Sequence, residues 1–158
     1  MKFILDRMLG KMKVWLRLCG YDTLYVGEMD IREDEDEFLL MHHRDRVLIT
    51  RDKELYLKSL KIGRDAIFIE SNDVEAQMME LKKKAGIVLE PSMERCSLCN
   101  SLLRKPAIEE IERVIEKEGF PEKIKNYDLY YCHKCEKLYW VGSHWTNISE
   151  FVSRLNSG

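Results

Sequence analysis

A regular alternation of short apolar runs with amphipathic segments across residues 2–89 constrains this chain more than any other feature. Residues 2–5 (KFIL), 22–26 (DTLYV), 46–50 (RVLIT) and 66–70 (AIFIE) are short, apolar and rich in β-branched or aromatic side chains, so they read as strands. Between and after them, residues 8–19, 36–44, 53–60 and 73–85 carry apolar positions at helical spacing. Gly20 stops the first of these helices, and acids crowd the start of the second, where the helix dipole favours them. A last short strand is expected at 87–89. Strands joined by helical crossovers pair in parallel and need helices on the sheet faces, so the fold class is α/β with a parallel sheet.

The alternation ends near Pro91, and a different signal begins. Cys96 and Cys99 form one CxxC pair, Cys132 and Cys135 a second, and Cys19 stands apart on an apolar helical face. Two such pairs in one chain read as a tetrahedral tetrathiolate site for structural zinc rather than as redox or disulfide chemistry. The 32 residues between Cys99 and Cys132 exceed the usual ribbon spacing, and the helical stretch 106–118 fills the gap as an insertion. The expected organisation is therefore an α/β domain at 1–91 and a zinc-ribbon module with a helical insertion at 92–158. Hydrophobic residues make up 45% of the chain, enough for a packed core. No apolar run is long enough to span a bilayer, and Asp6 interrupts the N-terminal apolar stretch too early for a secretion signal. A soluble cytoplasmic protein is expected.

In an open α/β sheet, function gathers beyond the carboxyl ends of the strands. Asp6 directly follows the first strand, and Asp52 follows the third across the turn Thr50-Arg51. Asp73 follows the fourth and reads either as a helix N-cap or as a metal ligand. Asp34, Asp36 and Glu37 open the second helix and can reach the same rim. Clustered carboxylates repel one another, a divalent cation relieves the repulsion, and an all-oxygen donor set selects magnesium or manganese. Such a site can activate water for in-line displacement at phosphorus. The formal net charge of −2 does not itself point to nucleic acid. Locally, Arg7, Lys11, Lys13 and Arg17 project to one side of the first helix, beginning one residue after Asp6, and Arg51 adjoins Asp52. Arg7, Lys11, Arg17 and Arg51 are thus the candidate contacts to a phosphate backbone.

The motifs Asp6-Arg7-Met8-Leu9-Gly10, Trp15-Leu16-Arg17-Leu18-Cys19-Gly20-Tyr21-Asp22-Thr23 and Leu48-Ile49-Thr50-Arg51-Asp52 occur in order. They are followed by Arg95-Cys96-Ser97-Leu98-Cys99-Asn100, Cys132-His133-Lys134-Cys135 and Tyr139-Trp140-Val141-Gly142-Ser143-His144-Trp145. Together they resemble the Mut-seven C-terminal ribonuclease family over nearly the whole chain. The resemblance implies a PIN-like three-layer domain followed by a zinc ribbon, and metal-dependent cleavage of RNA. It carries the family's acids onto Asp6 and Asp52, and a middle acid onto the group Asp34, Glu35, Asp36 and Glu37, with Asp36 preferred. It carries a fourth acid onto Asp73. Two other readings belong to different classes. One is a non-catalytic module that binds RNA or a protein through aromatic residues around the second cysteine pair. The other is a toxin-like nuclease controlled by a partner.

Overall fold

The computed structural model describes residues 1–157. Four strands, β1 (Phe3–Leu5), β2 (Thr23–Tyr25), β3 (Val47–Thr50) and β4 (Ala66–Phe68), form one parallel sheet in the order β2-β1-β3-β4. Helix α1 (Gly10–Leu18), entered through a 3-10 turn at Arg7–Leu9, links β1 to β2. The connections continue with α2 (Glu35–Met41), α3 (Lys53–Lys61) and α4 (Val74–Ala85), which follow β2, β3 and β4. Alternate residues of the central strand serve opposite faces. Phe3 and Leu5 pack with Leu9, Met12 and Leu16 of the first crossover and with Met78 and Leu81 of α4, whereas Ile4 packs with Leu39 of α2 and Leu55 of α3. The result is a three-layer α/β/α unit, as the alternation predicts. Cys19 is half-buried against the first core, and burial pushes its thiol up to about 11, consistent with a small hydrophobe rather than a nucleophile.

Beyond α4 the chain builds the cysteine module from α5 (Ile108–Glu118), the antiparallel pair β5 (Tyr130–Cys132) and β6 (Lys137–Tyr139), and two isolated bridges, Arg95 with Leu102 and Arg104 with Tyr131. It has a small core of its own around Val114, Ile115, Ile124, Leu129, Tyr131 and Leu138. Tyr131 and Tyr139 are buried, so these two aromatics serve the interior. A final helix, α6 (Ser143–Ser157), has no counterpart among the expected elements. Its Phe151, Val152 and Leu155 enter the core shared by α1 and α4, and Phe151 stacks on Trp15 with ring centroids 3.8 Å apart. Sequence places this segment with the cysteine module; its C-terminal half packs into the α/β core, while His144 at its start meets Trp140 of the module. The expected strand at 87–89 does not form. Ile87 and Leu89 are buried, but the main-chain partners of this extended segment are side chains: Tyr21 Oη donates to Val88 O and Asn156 Nδ2 to Leu89 O. No helix is long and apolar enough to cross a membrane among the described residues.

Candidate active site and metal centre

The strand order creates a topological switch. After β1 the chain turns to the face carrying α1, and after the adjacent β3 it turns to the face carrying α3. In open α/β sheets such a switch point, beyond the carboxyl ends of the strands, is where ligands bind, and the first polar residues past the two strand ends lie at it. Here those residues include Asp6 and Asp52.

Asp6 is held from several directions. Its Oδ1 accepts from the Met8 amide at 3.0 Å, and its Oδ2 accepts from the Arg51 amide at 2.9 Å and from the Thr50 hydroxyl. Thr50 Oγ1 in turn accepts from the Asp52 amide at 2.9 Å, so the two strand ends are tied through one hydroxyl. Asp6 is only 6% exposed. Burial pushes its carboxyl up, the three hydrogen bonds pull it back, and the neighbouring charge of Asp52 adds to the net rise. Asp52 caps α3, with Oδ1 accepting from the Glu54 and Leu55 amides, which leaves Oδ2 uncommitted.

The four acids opening α2 now separate into distinct roles. Asp34 is the N-cap, accepting from the Glu37 amide at 3.0 Å. Asp36 is exposed, like Glu37, but local desolvation and the charge of Asp52 both raise its carboxyl. Glu35 turns toward Arg7, whose Nε donates to Oε2 at 3.2 Å, while Glu35 Oε1 is buried without a hydrogen-bond partner. Glu37 stays exposed. Asp73 caps α4, with Oδ1 accepting from the Ala76 amide at 2.9 Å. It lines a groove of about 530 Å³ with Arg7, Lys11, Lys13, Asn72 and Gln77. Tyr25 closes one wall of that groove. Its hydroxyl donates to Arg7 O, and Gly27 leaves the ring its place, since a Cβ there would come within 2.3 Å of it.

Of the candidate RNA contacts, Arg7 and Lys11 are exposed beside the acids. Arg51 is tethered to the loop after β4, donating to Asn72 Oδ1 at 2.6 Å and Glu70 O at 3.3 Å. Arg17 requires a correction. It is 2% exposed and turned away from any solvent face. Its Nε and Nη2 donate to Thr23 O, Nη2 to Glu28, and Nη1 to Ser97 O and Leu98 O of the first cysteine turn. A helical wheel puts Arg17 among the basic residues, but the cysteine module folds over that end of α1. The guanidinium is an internal tie, not a contact surface.

The four cysteines do converge. One sulfur from each of Cys96, Cys99, Cys132 and Cys135 lies within 4.8 Å of all the others. Cys96 and Cys135 sulfurs are 3.9 Å apart, and those of Cys99 and Cys132 3.4 Å. A tetrahedron of thiolates about 2.3 Å from a zinc ion has edges of about 3.8 Å, so the cage fits a metal such as zinc. Tyr139 Oη lies 3.0 Å from Cys96 Sγ, a hydrogen bond that orients the ligand. Among the described residues this is the only group of three or more Cys, His, Asp or Glu side chains gathered so tightly, and the rim carboxylates are spaced more widely.

The first cysteine turn is also the joint between module and sheet. Asn100, in the left-handed region at φ 73°, accepts from the Thr23 amide at 2.9 Å and donates to Asp22 at 2.8 Å. Arg46 and Arg95 meet the same Asp22 carboxylate.

A family model described as the Mut7-C RNAse domain matches residues 1–152. No curated protein and no solved structure matches the chain. The matched span takes in the acid rim and all four cysteines, and on that match the chain belongs to the Mut7-C RNAse domain family, whose description carries a ribonuclease-type function.

Proposed function

We propose that this protein is a metal-dependent ribonuclease that hydrolyses RNA phosphodiester bonds at the rim formed by Asp6, Asp36 and Asp52. The observation that carries this reading is the switch point between β1 and β3. There Asp6 is locked at the end of the central strand, and burial first, then the neighbouring charge of Asp52, raises the carboxyls of both Asp6 and Asp36. Neighbouring carboxylates that repel one another suit a divalent cation. An all-oxygen donor set suits magnesium or manganese, and Asp52 Oδ2 and the Asp36 carboxylate are left uncommitted by the caps of α3 and α2. When bound, such an ion supplies a more acidic water and neutralises charge on the phosphoryl oxygens.

The chain's own residues do the remainder. Thr50 and the Arg51 amide fix the Asp6 carboxylate, so no reorganisation is needed during reaction. Glu35, with its unpartnered Oε1, adds a further acceptor at the Arg7 side of the rim. Lys11 and Arg7 face the approaching strand and position its phosphates. Asp73 caps α4 through Oδ1 and lines the basic groove beside the acids, so it is assigned to that groove rather than to the cation. The tetrathiolate zinc is structural, since four sulfurs leave no open coordination position.

Asp6→Asn and Asp36→Asn should each lower manganese-supported cleavage of single-stranded RNA by on the order of a hundredfold or more, above the effect typical of outer-sphere residues. The fold should survive, as judged by circular dichroism. Full activity of purified Asp6→Asn protein would remove the assignment.

A further inference from the structure

The groove beside the acids has one wall whose polar groups are already oriented. Gln77 is 5% exposed, and its Nε2 donates to Ser71 O at 3.0 Å and Asn72 O at 3.2 Å. Both amide hydrogens are thereby directed at the loop after β4. Gln77 Oε1 has no partner within the described residues and is not sealed from solvent, so it opens into the groove that the residue lines. Asp73 spends Oδ1 on the Ala76 amide, which leaves Oδ2. Asn72 spends Oδ1 on Arg51, which leaves its Nδ2 hydrogens. The α4 wall therefore offers two acceptors and one donor. The opposite wall carries Arg7, Lys11 and Lys13, of which Arg7 is paired with Glu35 and Lys13 with Glu28, so exposed Lys11 is the cation left for a phosphate. A groove with cations on one side and fixed hydrogen-bonding groups on the other matches a nucleotide, phosphate toward α1 and base toward α4. At about 530 Å³ it lies in the size range of small-ligand sites.

We infer that this groove is a nucleobase subsite in which Gln77 selects bases bearing an exocyclic amino group. The inference rests on the ribonuclease reading for its choice of ligand. An amino group carries two hydrogens and satisfies both Gln77 Oε1 and Asp73 Oδ2. Uracil has no such group. Its lone N–H is flanked by two carbonyl oxygens, which would face these acceptors without a hydrogen between them. A mismatched acceptor pair in a half-buried site costs more than a missing contact, which is why hydrogen-bonding sites discriminate strongly. A base must be unpaired to enter, so the subsite reads single strands.

Binding of the full-length, zinc-loaded protein to fluorescein-labelled oligouridylate tests this, measured by anisotropy without added magnesium or manganese. The probe carries one central adenosine, or purine riboside, which lacks the amino group. Adenosine should bind about tenfold tighter than purine riboside, the size of one good base contact. Gln77→Met should reduce the preference severalfold, leaving only the share that Asp73 Oδ2 holds. Equal affinities in the wild-type protein would overturn the inference, and this arm does not depend on the variant folding. An undiminished preference in folded Gln77→Met would overturn the role of Gln77. A preference without cleavage under manganese would refute the ribonuclease reading alone, and cleavage without preference would refute the subsite alone.

Discussion

Replacing Arg17 with methionine separates an internal tie from an RNA contact. Methionine keeps most of the buried stem but removes every donor. Thr23 is fully buried, so its carbonyl, which accepts from Nε at 3.0 Å and Nη2 at 2.9 Å, loses both bonds with no access to water. A stranded buried acceptor costs about 1–3 kcal/mol. Ser97 O and Leu98 O, at 3.3 and 3.2 Å, are only partly buried and recover some hydration. Glu28 is 34% exposed, so losing the 2.8 Å ion pair leaves a charge that water can reach, and its contribution is discounted accordingly. The total comes to about 3 kcal/mol, which for a chain of this length lowers the melting temperature by about 6–12 °C. Thermal melts followed by far-ultraviolet circular dichroism measure this, with RNA affinity determined on the same samples below the transition. A melting temperature within about 2 °C of wild type, combined with a clear loss of RNA affinity, would refute the burial argument and return Arg17 to the substrate face.

Two further outcomes follow from other contacts. Burial opposes ionisation of Glu80, but bonds from Lys84, the Ser71 hydroxyl and the amides of Glu70 and Ser71 outweigh it and hold the carboxyl at about 2. Its stabilisation is therefore present above about pH 4.5 and lost as pH falls toward 2. Glu80→Gln should cost about 1–3 kcal/mol at neutral pH and little at pH 2, read from urea denaturation at both pH values. Zinc should be present at one ion per chain by colorimetric release. Cys132→Ser should lower both zinc content and the melting temperature of the α/β unit, because the carbonyls that receive Arg17 belong to the first cysteine turn. Unaltered melting of a zinc-free variant would separate the module from the sheet.

The crossovers were legible because each strand and helix announces itself locally, through β-branched runs and apolar spacing. The placement of Asp6 and Asp52 past the carboxyl ends of β1 and β3 was legible because Asp6 directly follows its strand and Asp52 follows across a two-residue step. What failed depended on partners distant in sequence. Arg17 has a solvent-facing position on a helical wheel, and only the fold of a segment about 80 residues away encloses it. The 87–89 segment has the alternation of a strand, with Val88 exposed between buried Ile87 and Leu89, but no neighbouring strand is there to pair with it. Helix α6 carries Phe151, Val152 and Leu155 at helical spacing, a signal that was present but overshadowed by the cysteine pattern preceding it. Among the acids opening α2 the sequence prefers Asp36 but cannot show what each contacts, since one helical turn presents them in several directions. Asp34 turns out to cap the helix and Glu35 to meet Arg7.

The joint at Thr23 has a consequence for solubility. β2 is an edge strand, and the outward amide and carbonyl of Thr23 are occupied by Asn100 and Arg17. At the opposite edge, Lys84 donates to Phe68 O and Glu80 accepts from the Glu70 amide, so α4 covers the carboxyl end of that border with side chains of the α/β unit itself. The two borders differ in what holds their cover in place. One cover is part of the α/β unit, and the other rests on a cysteine turn whose four-thiolate cage fits a metal such as zinc. Opening that cage would uncover the outward groups of Thr23, and an uncovered strand edge is the template on which other chains pair and aggregate.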